Sequence, residues 1–173
     1  MNIMIDLETL GTKPNSTILS VGAVAFNKDG IHDKYYANID LEDSLRKGYD
    51  VDASTIYWWL KQSAEAGCIL SCNLKPIREV LIDLQFFFKK NSPKEVWANS
   101  PSFDLVMLKN AFNKENLDIK WNFWDERDYR TFLNLTKQAR VVPTVAHNAL
   151  EDAIAQATTV MNYSNKGELN ERY

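Results

Sequence analysis

The chain has 173 residues, 45% of them hydrophobic and 25% charged, with a formal net charge of −3. That is one domain's worth of sequence with enough apolar material to bury a core, and its mild acidity excludes bulk electrostatic attraction to nucleic acid or anionic lipid. No apolar run reaches membrane-spanning length and "MNIMI" lacks a signal peptide's basic and cleavage regions, so no membrane association and a cytoplasmic location are expected.

Residues 2–8 read as a short, very apolar strand, and "TILSVGAVAF" (17–26) as a second. "NKDG" (27–30) supplies turn chemistry for a hairpin, and "DKYYANID" (33–40) returns as a third strand. "DASTIYWWLKQSAEAG" (52–67) spaces its apolar residues as a helix does and ends on Gly67. The only two cysteines, Cys68 and Cys72, complete no zinc set and are expected to be reduced thiols, with an intracellular compartment as the default that follows. "KPIREVLIDLQFFFKKN" (75–91) opens on Pro76 and predicts a helix burying Ile77, Val80, Leu81, Leu84 and Phe88. "KEVWAN" (94–99) predicts a brief strand, 100–116 a helix, 121–139 a segment helical from Tyr129, and 147–163 a last helix. No linker or repeat interrupts the chain, so a single domain over 1–163 and a polar tail over 164–173 are expected. The order of elements predicts an α/β fold: a mixed sheet of three antiparallel strands plus parallel strands, covered by helices on both faces.

The tetrapeptide IDLE occurs at 5–8 and again at 39–42. In the second copy Ala37, Ile39 and Leu41 alternate with Asn38, Asp40 and Glu42, which predicts a half-exposed strand with a solvated polar side. In the first, Ile3, Ile5 and Leu7 take one face while Met4 shares the other with Asp6 and Glu8, so both faces are buried. Two buried acids side by side repel and lose hydration, a cost of several kcal/mol per ion. A bound divalent cation would compensate; the bland alternative is a strand end in water. From these residues alone both readings stay open.

Later helices offer further ligands. In "WANSPSFDLVML" Ser100 and Pro101 can start a helix with Asp104 in its first turn or so. In "HNALEDA" Asn148 is a good N-cap with Glu151 at capping-box spacing, which puts Asp152 just inside the helix and His147 just before it. Each acid alone reads as an exposed helix-start residue. The order is what carries weight: strand-borne Asp-x-Glu first, then Asp104, then His-x4-Asp.

That ordered set resembles the three exonuclease motifs of the DEDDh superfamily of 3′→5′ exonucleases, which have a ribonuclease-H-like fold. "IDLETLG" is similar to the first motif, "WANSPSFDLVML" to the second and "HNALEDA" to the third, with the resemblance spanning residues 3–157. "TIYWWLKQS" and "ERDYRTF" most resemble the branch of small bacterial and phage exonucleases that includes the exonuclease A-like and mycobacterial exoribonuclease-like members. Leu10 departs from the small polar residue many members carry after the motif Glu. The resemblance implies that Asp6, Glu8, Asp104 and Asp152 bind two Mg2+ or Mn2+ ions and that His147 is the general base. Its substrate would be the 3′ end of DNA or RNA, released stepwise as 5′-mononucleotides.

Thr9 and Leu10, just after Glu8, are candidates for contact with the last nucleotide, and Phe103, next to Asp104, for base stacking. Trp58 and Trp59 face about 100° apart on a helix, so one can pack while the other borders the site. Packing for both is the commoner outcome. Arg130, Lys137 and Arg140 are candidates for guiding phosphates, against a solvated helix face. The alternative function is a catalytically silent nucleic-acid-binding or partner-docking domain of the same fold; a third is a metal-dependent phosphatase. The sequence leaves a homodimer open.

Overall fold

The computed structural model describes residues 1–62, 69, 71–165 and 167. Six strands form one mixed sheet in the order β4-β3-β2-β1-β5-β6. β1 (Asn2–Thr9) is antiparallel to β2 (Ile18–Asn27), and β2 is antiparallel to β3 (Gly30–Ile39). On the other flank β5 (Glu95–Ala98) runs parallel to β1, as the helical crossover requires. The expected meander and parallel strand are therefore present.

Central β1 is buried on both sides. Ile3, Ile5 and Leu7 join the main core with α3 (Ile77–Asn91) and α4 (Asp104–Lys114), whereas Met4 joins a second core with α5 (Tyr129–Thr136) and α6 (Ala149–Ser164). The side chains expected from α3 are all buried, with Phe87 added to them. Helix α5 starts at Tyr129, as the sequence predicts.

Four local readings need correction. The second IDLE is not strand: β3 ends at Ile39, and Asp40 becomes the N-cap of α1 (Leu41–Arg46), accepting from the amides of Glu42 and Asp43 at 2.8 and 3.3 Å. Side-chain capping competes with strand pairing for the same backbone groups, and here it wins. Two very short parallel strands add to the expected set, β4 (Leu74–Lys75) beside β3 and β6 (Glu126–Asp128) beside β5. Helix α2 (Ala53–Trp59) closes at Leu60, short of the predicted span, and the Gly67 stop lies outside the described residues. Finally, Cys72 is disulfide-bonded, not a reduced thiol, which removes one ground for an intracellular location; Cys68 lies outside the described residues. No helix among the described residues is long and apolar enough to cross a membrane.

One glycine sets how the last helix meets the sheet. Gly22 pairs with Asp6 across β1 and β2, and a Cβ there would sit 2.2 Å from the carbonyl of Ala149, the first residue of α6. The bare strand lets that backbone lie directly on the sheet beside Asp6. Gly22→Ala is expected to cost at least roughly 1–3 kcal/mol through overpacking against backbone that cannot yield. Urea denaturation of the two proteins checks this, and equal midpoints would refute the close-approach argument.

Candidate active site

Two elements meet at this junction. Alternation along β1 sends Asp6 and Glu8 to the α6 side, in line with Met4, and the strand then bulges between Glu8 and Thr9. Asn148 caps α6 by accepting from the amides of Leu150 and Glu151, and this fixes Asp152 in the first turn over β1. One carboxylate oxygen from each of Asp6, Glu8 and Asp152 lies within 4.8 Å of the others. Acids 144 or more residues apart in sequence thus share one small volume.

Asp104 is the first residue of α4 and is 4% exposed. Its carboxylate accepts from the amide of Ser100 at 3.2 Å. It stands outside the close group of three, yet its charge acts on both Asp6 and Glu8.

Burial pushes all four acids up, and repulsion from other acids of the set adds to it at Asp6 and Glu8. Asp6 is raised well above the ordinary aspartate range, by burial first and then by Asp104, Glu8 and Asp152. Glu8 is pushed up to about 8, by burial, Asp152 and Asp104 in that order. Asp104 rises to about 6 through burial, against the pull of nearby backbone amides and Arg130. Burial raises Asp152 too, while the neighbouring His147 works to lower it. A cluster of acids driven toward protonation suits a hard divalent cation, whose charge would restore the ionised form.

Asp6, Glu8 and Asp152 open into a cavity of about 290 Å³ whose wall includes Asn99, Tyr129, Arg140, Pro143, His147 and Gln156. His147 precedes the helix with a left-handed backbone (φ +60°). Its ring meets Trp58 edge-on with centroids 4.8 Å apart, and Trp59 at 6.3 Å. Trp59 also donates from Nε1 to the carbonyl of Thr9 at 2.9 Å, which ties α2 to the end of β1.

The remaining candidates scatter. Trp58 is 42% exposed beside His147, whereas Trp59 packs against a small cluster formed by Leu10, Leu19 and Ile69. Leu10 itself is buried in that cluster. Thr9 is buried and its hydroxyl donates to the carbonyl of Gly11. Phe103 is half-buried against the main core. Arg130 is exposed and acts on Asp104; Arg140 lines the cavity; Lys137 caps α5. Sequence reasoning missed Gln156, which donates from Nε2 to Asp6 Oδ1 at 2.8 Å. Its signal was positional, since it sits one helical turn beyond Asp152 on the same face.

The profile of the Rv2179c-like 3′-5′ exoribonuclease domain matches residues 1–164. The chain belongs to this family. Its fold agrees with that of solved nucleases of the ribonuclease-H-like class. The nuclease domain of 3′hExo, a DEDDh family member bound to rAMP, aligns with a TM-score of 0.66 at 14% identity, covering 96% of this chain and 92% of that one. The zinc-bound E. coli ExoI–ssDNA complex gives 0.66 at 12% identity, covering 98% of this chain and 40% of that one. Exonuclease X with 5′-overhanging duplex DNA gives 0.52 at 13% identity over 96% and 92%. No match to a curated protein reaches significance. This Rv2179c-like domain is therefore a member of a 3′–5′ exoribonuclease family, a nuclease hydrolase, with the fold of solved DEDDh nucleases.

Proposed function

We propose that this exonuclease removes 5′-mononucleotides stepwise from the 3′ end of RNA, with Asp6, Glu8, Asp104 and Asp152 holding two Mg2+ or Mn2+ ions and His147 acting as general base. The observation that carries the reading is the convergence of Asp6, Glu8 and Asp152 oxygens within 4.8 Å, in a setting that raises every acid of the set. Description of the family as exoribonucleases supports RNA over DNA. Cations held there would supply Lewis-acid polarisation of the scissile phosphate and offset its charge.

The chain's own residues supply the rest. His147, in the cavity wall and beside Asp152, takes the proton of the attacking water. Trp58 and Trp59 back the imidazole edge-on and hold its plane. Half-exposed Trp58 offers a face for a base near the 3′ end. Arg140 in the wall and Arg130 on the rim offer positive charge to the backbone phosphates. In this way a chain of net charge −3 handles a polyanion locally.

Matched RNA and DNA oligonucleotides, labelled at either end and incubated with Mg2+, Mn2+ or EDTA, test the reading. The expected result is metal-dependent loss of the 3′ label first, faster on RNA, with 5′-phosphorylated mononucleotide as product. Oligonucleotides that are bound but never cut would favour the silent binding domain. Hydrolysis of a small phosphate ester alone would favour the phosphatase.

A further inference from the structure

Gln156 is the one side chain of the cavity wall that hydrogen-bonds directly to a carboxylate of the acid cluster among the described residues. It lies on α6, one turn beyond Asp152, and its Nε2 donates to Asp6 Oδ1 at 2.8 Å. The amide's orientation follows from chemistry, because reversing it would set an oxygen against a carboxylate oxygen. Its own Oε1 is buried and has no hydrogen-bond partner among the described residues. Buried amide oxygens are almost always satisfied, and a bound water or ion is one way to complete an exception.

We propose that Gln156 is a positioning residue for the cation site: it fixes the plane of the Asp6 carboxylate, and its free oxygen accepts from a water that a hydrated cation brings into the cavity. The inference rests on the metal-dependent reading above. Asp6 is pressed by Glu8, Asp104 and Asp152, so an unrestrained carboxylate would rotate away from them. The Gln156 amide opposes that rotation from a rigid helix. Partners of this kind, one step behind a ligand, typically change metal affinity by about 10–100-fold when removed.

Titrating metal-depleted protein with Mn2+ alone, by calorimetry, tests this without reference to turnover. Gln156→Met keeps the size and loses the donor; Gln156→Asn keeps the amide but falls short of Asp6, and serves should the first variant not fold. Each is expected to bind Mn2+ roughly tenfold more weakly or worse. At limiting Mn2+ both should lose kcat and regain it at high Mn2+, with KM for the oligonucleotide unchanged. Variants that bind Mn2+ as tightly as the parent, whatever their thermal stability, overturn the role of Gln156 and leave the metal reading intact. A parent that takes up no Mn2+ overturns both.

Discussion

Replacing Asp6 by alanine is expected to cut the rate of 3′-end cleavage by roughly a thousandfold or more, while Asp40→Ala leaves it nearly unchanged. The two aspartates occupy the same place in identical tetrapeptides, so the comparison isolates environment from local sequence. Asp6 is 9% exposed, hydrogen-bonded to Gln156 and close to Glu8 and Asp152. Asp40 caps α1 and shares no space with another element of the site. Its loss is expected to cost about 1 kcal/mol of stability, as an unfilled N-cap does. The opposite stability change is expected for Asp6→Ala, which relieves repulsion in the metal-free cluster. Initial rates on a 3′-labelled oligonucleotide and melting of the metal-free proteins report both effects. Equal losses of activity in the two variants would remove the basis for placing chemistry at the first tetrapeptide.

The metal-free protein is expected to lose stability as pH rises from about 5 to 8, and Mg2+ or Mn2+ to abolish that loss. An unfolded glutamate gives up its proton near pH 4.3, whereas folded Glu8 keeps its proton up to about 8. Between these values the folded state binds more protons, so stability falls with rising pH. The contribution is fully present below the unfolded value and is gone once pH passes 8. Asp6, Asp104 and Asp152 are all raised in the same direction and add to the slope. Asp33, lowered by Lys90 and Asn91, acts in the opposite sense but only in more acidic solution. Each tenfold difference in proton affinity between folded and unfolded chains is worth about 1.4 kcal/mol, so the fall amounts to a few kcal/mol, or roughly 10 °C in melting temperature. A bound cation holds the acids in their charged form, so binding releases protons and its stabilisation grows with pH. Melting curves at pH 5, 6.5 and 8, with EDTA and with Mg2+, check the sign. A metal-free melting temperature that is level or climbs across this range would contradict the buried-acid account.

Much of the architecture was legible because it is written in local periodicity. An apolar strand with two buried faces, a hairpin with its turn, the Pro76 start of α3, the Tyr129 start of α5 and the Asn148 cap all depend on residues within a turn or two of each other. The short strands β4 and β6 were not legible, since two or three residues carry no period and exist as strands only through partners far along the chain. Helix α1 was legible in principle, with Asp40 at the cap, acids in the first turn and Arg46 in the last, but the apolar alternation before it pointed the other way.

By itself the sequence determined that four acids and a histidine stand at strand and helix ends in an order suited to metal-dependent cleavage. Strand and capping signals give those positions, and the resemblance of their order to exonuclease motifs gave the metal-dependent reading. Only the tertiary structure decided that Asp6, Glu8 and Asp152 meet while Asp104 is held slightly apart by the Ser100 amide, that Leu10 turns inward, and that Gln156 grips Asp6. The approach of Asp152 and Gln156 to Asp6 depends on how closely α6 settles over Gly22, a contact between backbones 127 positions apart. Helical and strand periods say which face is buried, but not how near two buried faces approach; that distance is what separates a solvated acid from a ligand.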